Sequence, residues 1–301
     1  LDAARRPVLF VATYRFAART PLTALVSGLV FSFTAQPSVQ YRRNKWFYFL
    51  YDGGYLAGLL ALDAWLLMHH SQSLIPSTLT WSWWYLAAFP VVLYGHILLN
   101  VFIHNCCHGN FPRAINRLIG ELAGLVVITR YASWEIIHQR HHRFSDDPKK
   151  DPHHVLPNFL VFLYETMLFN VERQLQNQAY DQFGDTPENR SRERIRAVLS
   201  FATMLPLLLA WYLILGPEVF LFLFVPAQAL GWMHVAHFNW VTHNALSKTG
   251  DYKPINIDTG VYWLGNRIWF GLYMHANHHK RANIFNPLKM DEVLARRAAA
   301  S

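Results

Sequence analysis

The sequence predicts an all-α, polytopic membrane protein, with four transmembrane helices in two hairpins and a cytoplasmic cap. Three observations predict it. The 301 residues are 52% hydrophobic and only 15% charged, and the apolar residues fall in blocks of roughly 20, the length that crosses a bilayer. All 27 Lys and Arg lie within 5–45, 113–196 and 248–297, the asymmetry expected when basic residues stay on the cytoplasmic side. Finally, a histidine pattern recurs three times, and the proposed spans bring every copy to the same face of the membrane.

Residues 1–45 are basic and are expected on the cytoplasmic side. The apolar run at 21–36 is short for a crossing and reads as interfacial or re-entrant. The first span, 46–68, would be about 34 Å long at 1.5 Å per residue. Gly53, Gly54 and Gly58 would let a neighbouring helix come close. Asp52 and Asp63 share one face of it. An ionisable residue as deep as Asp63 is either functional or hydrogen-bonded to another helix. Trp81, Trp83 and Trp84 then form an aromatic belt at the start of the second span, 81–103.

The segment 104–196 is cytoplasmic. Its apolar stretches, 120–129 and 158–169, are too short to cross and should lie along the membrane surface or beneath the helices. Residues 170–196 are polar and helix-like, broken at Gly184-Asp-Thr-Pro187. The third span covers 197–215, the fourth 218–240, and Gly216-Pro217 makes the turn between them, Gly ending one helix and Pro starting the next. Residues 241–301 return to the cytoplasm, so the whole chain, 1–301, reads as one membrane-embedded domain. The net charge of +8 does not indicate nucleic-acid binding, because the positions of the charges follow membrane topology. Two adjacent cysteines, Cys106 and Cys107, offer no disulfide framework, which fits a reducing compartment.

The histidine boxes are His104-Asn-Cys-Cys-His108, His138-Gln-Arg-His141-His142 and His275-Ala-Asn-His278-His279. Residues three and four apart share a helix face, so each box is expected to aim its imidazoles at one point. An imidazole shell suits iron, copper, zinc or nickel and fits magnesium or calcium poorly. Eight histidines exceed one tetrahedral zinc, and two metals are the natural count. The His-Glu-x-x-His zinc-protease signature and the Cys-x-x-Cys-His haem signature are both absent. A transporter would place its ligands at mid-membrane on broken helices, whereas these boxes lie at or beyond the helix ends.

These residues resemble the integral-membrane fatty acid desaturases and hydroxylases, whose pattern is His-x3–4-His, His-x2–3-His-His and a final His-x2–3-His-His on four membrane helices. The resemblance covers about 46–287. It implies a diiron centre held by His104, His108, His138, His141, His142, His275, His278 and His279, with dioxygen as co-substrate. It also implies a fatty acid or fatty acyl substrate (free, CoA-linked or carrier-linked) and an electron donor such as ferredoxin, rubredoxin or cytochrome b5. Acyl-CoA members carry Asn-x-x-x-His before the last box. Asn239-Trp-Val-Thr-His243 matches it, implying His243 as a ninth ligand and Asn239 as a partner acting through water. His234 and His237 compete for that role; at 100° per residue they fall opposite Asn239 and His243, and the latter pair lies nearer the last box.

Around the ligands, Glu135, Asp146, Asp147 and Asp151 are candidates to receive a histidine N–H, as metal-bound imidazoles usually need. His96 and Asn100 continue the stripe that ends at His104 and are expected beside the ligands or along the substrate, as are His237 and Asp63. His153 and His154 read as surface histidines, Cys106 and Cys107 as small packing residues. The expected activity is oxygen-dependent oxidation of an acyl chain, desaturation first. Hydroxylation or oxidative decarboxylation to a terminal alkene is the alternative within the class, and a non-catalytic metal-binding or transport protein the alternative outside it.

Overall fold

The computed structural model describes residues 34–71 and 73–299. Within them the chain is helical, with no strand and one isolated bridge, Asn256 to Met274. In chain order the helices are α1 (Pro37–Arg43), α2 (Phe47–His69), α3 (Trp84–Cys107), α4 (Arg113–Val126) and α5 (Tyr131–Phe144). Next comes α6 (Phe159–Val161), which runs through a π-helical stretch, Phe162–Asn170, into α7 (Val171–Phe183). Then follow α8 (Pro187–Ala202), α9 (Met204–Leu215), α10 (Pro217–Val219), a second π-helical stretch (Phe220–Phe224) and α11 (Val225–Thr242). The last three are α12 (Gly260–Ile268), α13 (His275–Lys280) and α14 (Met290–Ala299). The apolar run at 21–36 lies outside the described residues except for its last three positions.

Among the described residues three helices are long and apolar enough to cross a membrane: Trp84–Cys107, Pro187–Leu215 and Pro217–Thr242. In the most apolar part of the first only 22% of residues are buried, so most of its apolar side chains face outward, as burial in lipid requires. The helix that contains the expected third span starts at Pro187, about ten residues before the expected 197. Thr186 caps it by accepting from the Asn189 N–H, Pro187 occupies its first turn, and the polar residues 187–196 simply extend the apolar helix. Both expected breaks fall at glycines with left-handed φ, Gly184 at 92° and Gly216 at 77°. A Cβ is disfavoured at such angles. Phe47–His69 has the length of a crossing but contains Asp52 and Asp63, both buried.

Packing crosses the expected hairpins. α2 lies mainly against α8 and α9, while α3 lies mainly against α4 and α11. Asp52 explains the first pairing. It is ion-paired with Arg130 and lies 3.9 Å from Arg196 Nη1, while Arg196 also pairs with Glu172 and with Glu193 at 2.8 Å. Arg130 lies over the rings of Tyr51 and Tyr55, 5.0 and 4.1 Å from their centroids. These charges join α2 to the helices outside the expected crossings, and a buried charge is tolerated when paired. Asp63 is different: it is buried, its Oδ1 has no partner, and it takes no part in the histidine clusters.

Replacing Asp52 by Ala leaves the Arg130 and Arg196 guanidiniums buried without it. Removing one member of a buried charge network costs about 3–5 kcal/mol. The detergent-solubilised variant should melt well below the parent, and an unchanged melting temperature would refute this role.

Candidate metal centre

Helices α3, α5 and α13 and the end of α11 bring nine imidazoles together. The metal-capable side-chain atoms of His104, His108, His138, His142 and His278 lie within 4.8 Å of one another, and those of His141, His243, His275 and His279 form a second group on the same criterion. The groups adjoin: the rings of His142 and His279, one from each, are stacked with centroids 4.3 Å apart.

The distribution differs from the expected one. Only the first box aims at a single point. In the second, His138 and His142 enter one group and His141 the other; in the third, His275 and His279 enter one group and His278 the other. The helix dictates this. Positions i and i+4 lie 40° apart around the axis, whereas i+3 falls 60° to the other side. An x2-His-His box is therefore a divider between two neighbouring points.

The donor set fits metal ions. In the first group, ring nitrogens meet as His104–His278 at 2.8 Å, His278–His142 at 3.0 Å, His142–His138 at 3.1 Å and His138–His108 at 2.8 Å, all between Nε2 atoms. A neutral imidazole nitrogen either donates one hydrogen or accepts, so hydrogen bonds alone cannot satisfy a run in which the middle nitrogens each face two others. Lone pairs converging on a cation can. Burial keeps these rings neutral: it is the largest cause holding His138, His275 and His278 well below the ordinary histidine range, with neighbouring histidines adding to it. It also brings His108 down to about 4 and His279 to about 2.

The second group has carboxylates behind it. His141 Nδ1 lies 2.8 Å from Asp151 Oδ1, and His243 Nδ1 lies 2.9 Å from Asp146 Oδ1. Each ring can donate its Nδ1 hydrogen there, which turns the Nε2 lone pair inward. Burial alone would raise the Asp151 carboxyl, but the His141 ring beside it and the hydrogen bond from that ring hold it well below the usual carboxylate range. Asp151 also accepts from the backbone N–H groups of Asp146 and His153, at 2.7 and 2.8 Å, so one side chain shapes the loop after α5 and orients a ligand candidate.

Other expected residues fall elsewhere. Glu135 does not meet a histidine. It accepts from the Ser38 backbone N–H, the Ser38 hydroxyl and Gln139, each at 2.6 Å, tying α1 to α5, and burial pushes its carboxyl up to about 7. Asp147 is spent on its own turn, accepting from the N–H groups of Lys149 and Lys150. His96 bonds through Nδ1 to the Val92 carbonyl at 3.0 Å and packs on Phe224, about two turns of helix from the nearest box residue, His104. His237 lies among Phe159, Trp240 and Tyr262, outside both groups.

Asn100 and Asn239 border a pocket of about 30 Å³ directly beneath His104 and His138. His234 borders it too, contrary to the expected opposite face, because five residues along a helix turn it 140° from Asn239, short of a half-turn. Of the carboxylates expected beside the ligands, Asp146 joins Asp151 in meeting a histidine. Its signal is position: it has φ 64° just after α5, where glycine or asparagine is usual. His153 and His154 were expected at the surface. Instead His153 is buried against Trp134 and His141 with neither ring nitrogen paired, and His154 Nδ1 is buried as well.

The family model for fatty acid desaturases matches residues 81–284, more than half of the sequence and all three boxes. The chain belongs to the fatty acid desaturase family. Similar curated proteins include an sn-1 oleoyl-lipid 12-desaturase of Picosynechococcus, 38% identical over 72 residues (23% of this chain, 21% of that protein). An sn-1 acyl-lipid omega-3 desaturase (ferredoxin) of Synechocystis is 30% identical over 99 residues (32% and 23%). The omega-3 fatty acid desaturase fat-1 of Caenorhabditis elegans is 30% identical over 76 residues (21% and 19%). The chain thus spans about a fifth of the length of these relatives. No solved structure gives a significant match.

Two outcomes follow for this desaturase-family protein. Asp146→Asn and Asp151→Asn weaken orientation of His243 and His141, and losing such a partner typically lowers metal affinity by roughly 10–100-fold; metal titration should show the loss confined to one of two sites. Separately, histidines held below their unfolded value of 6.5 take up protons on unfolding, so stability is full above that value and declines as pH falls. The melting temperature of metal-stripped protein should drop between about pH 6.5 and 4, and a flat profile would contradict neutral burial.

Proposed function

We propose that this protein is an integral-membrane, oxygen-dependent oxidoreductase that desaturates a fatty acyl chain at a diiron centre. The observation that carries the reading is the pair of adjoining, all-imidazole groups beneath which an apolar cavity opens between α3 and α11. His104, His108, His138, His142 and His278 would hold one iron, and His141, His243, His275 and His279 would hold the other. Asn239 Nδ2 is committed to the Val235 carbonyl at 2.9 Å, which leaves Oδ1 to accept from a water beside the metals. When bound, the irons supply reductive activation of dioxygen and removal of hydrogen from unactivated carbon. Asp146 and Asp151 keep the Nδ1 hydrogens of His243 and His141 in place, and Ile97, Val101, Val235, Phe238 and Leu272 exclude bulk water and fix the chain, whose misplacement by 1 Å can cost on the order of 100-fold in rate.

The reaction is –CH2–CH2– + O2 + 2 e⁻ + 2 H⁺ → –CH=CH– + 2 H2O. It needs an external one-electron donor, and the ferredoxin in one relative's name makes a ferredoxin the first choice over rubredoxin or cytochrome b5. Four crossings, with Phe47–His69 as the first, put the boxes on the side that carries the basic segments, the cytoplasmic side by charge. In that arrangement 1–301 forms one domain.

Iron-loaded protein given reduced ferredoxin and a saturated acyl substrate should consume oxygen and yield a product two hydrogens lighter, with two irons per chain. Gain of one oxygen atom would report hydroxylation, and release of CO2 with a terminal alkene would report decarboxylation. Oxygen uptake absent with both irons bound would favour a metal-binding or transport protein. His243→Ala should lose iron; full iron content in that variant would end its assignment as a ligand.

A further inference from the structure

We propose that the ring edges of His108, His142 and His279, framed by Arg143, Lys280 and Arg281, form the surface on which an acidic one-electron carrier protein of the ferredoxin class docks. This deepens the oxidative reading above and rests on it.

Five of the nine imidazoles, those of His138, His141, His243, His275 and His278, are buried, whereas His104, His108, His142 and His279 are partly exposed. His104 opens on the apolar pocket assigned to the acyl chain. The other three do not line that pocket, so their exposure belongs to a different face. They touch in series, with ring centroids 4.7 Å apart from His108 to His142 and 4.3 Å apart from His142 to His279. His108 and His142 belong to one metal group and His279 to the other. A carrier seated on this edge therefore reaches both groups from one position.

Cations frame the edge. Arg143 follows His142, and Lys280 and Arg281 follow His279, with successive Cα atoms about 3.8 Å apart. The Asn110 side chain donates to the Ala282 carbonyl at 3.0 Å, which draws the chain after His279 against the turn that follows His108. All three cationic residues are exposed. None forms an ion pair with a carboxylate among the described residues, whereas Arg140, Arg190, Arg196 and Arg267 each do. Lys149 and Lys150, in the loop after α5, add further exposed positive charge.

Charge of one sign around an opening speeds the arrival of a partner of the other sign, by roughly 10–10³-fold, and charges at the rim act mainly on that arrival. Topology accounts for basic residues on this side of the membrane, but it does not choose the positions next to His142 and His279. The reaction supplies the partner's chemistry. It takes two electrons from outside the chain, so two reduced carriers, each oxidised by one electron, must meet an open edge of the centre in every turnover. The acyl chain has its own way in, at His104.

The test uses purified two-iron protein and a plant-type [2Fe–2S] ferredoxin. Binding to the parent should weaken steeply as salt screens the exposed charges, and carbodiimide should couple ferredoxin carboxylates to Lys280, Lys149 or Lys150. Combining Arg143→Glu with Lys280→Glu should weaken binding roughly tenfold or more at low salt and raise KM for ferredoxin. Iron content, KM for the acyl substrate and turnover driven by a small chemical reductant should not change. Arg143→Lys with Lys280→Arg should bind like the parent. Lys45→Glu, at a residue whose charge acts on Glu188 at the start of α8, alters net charge as Lys280→Glu does and should bind more tightly than that variant. Salt-insensitive binding, cross-links confined to other lysines, parental binding by the double glutamate variant, or equal losses in Lys45→Glu and Lys280→Glu would each overturn the proposal. A rise in KM for the acyl substrate instead of for ferredoxin would assign this face to the substrate's head group and overturn it too. Should the double glutamate variant lose iron, the salt dependence and cross-links of the parent decide. If the small reductant drives no acyl oxidation by the parent, the oxidative reading fails; parental ferredoxin binding by the double variant, with that oxidation intact, would remove the docking surface alone.

Discussion

Everything in this structure serves the gathering of nine imidazoles with their nitrogens facing one another. Such an arrangement is unfavourable in isolation, since desolvated nitrogens cannot all find hydrogen-bond partners. It persists because helices from both ends of the chain are fastened around it. Glu135 and Ser38 tie α1 to α5, and Asn110 Nδ2 donates to the Ala282 carbonyl at 3.0 Å, joining the end of α3 to the turn after the last box. The bridge at Met274, with the Ile257 N–H donating to the Tyr273 carbonyl at 2.9 Å, sets the start of the six-residue α13. A helix that short has little stability of its own, so its histidines owe their direction to these external ties.

The two halves of the centre are built unequally. Five imidazoles crowd one point, and four meet at the other with Asp146 and Asp151 behind two of them. Hydrogen-bonded carboxylates make an imidazole more basic and fix its tautomer. The second point is therefore the more electron-rich environment and the more rigid. Asp151 adds to this by also holding the backbone of the loop that carries Asp146.

Much of this was legible in sequence, for identifiable reasons. Apolar blocks and the partition of Lys and Arg gave the helices that can cross, and Gly184, Gly216 and Pro217 gave their breaks. The box residues could be picked out because spacing on a helix is a local property, and His243 because Asn239-Trp-Val-Thr-His243 resembles a motif of the family; the fold brings all nine together. What depended on side chains meeting across the fold was less accessible. Glu135 looked like a partner for His138 one turn away, yet its carboxylate turns to Ser38, 97 positions earlier in the chain. Asp147 and Asp146 are adjacent and chemically alike, and only the left-handed backbone at Asp146 decides which reaches His243. His153 and His154 looked exposed because they follow a run of charged residues and prolines, but that loop folds back under Asp151. The pairing of α2 with α8 and α9 needed the ion pairs of Asp52, which no periodicity announces.

The division of the second and third boxes has a mechanical result. Because α5 and α13 each contribute to both groups, neither helix can slide or rotate to loosen its hold on one point without disturbing the other. The separation of the two points is thus inherited from the pitch of an ordinary α-helix, a length that hardly varies among proteins. A chain can reshape its cavity, exchange the residues around His234 or alter its outer surface, and the gauge between the points stays as it was.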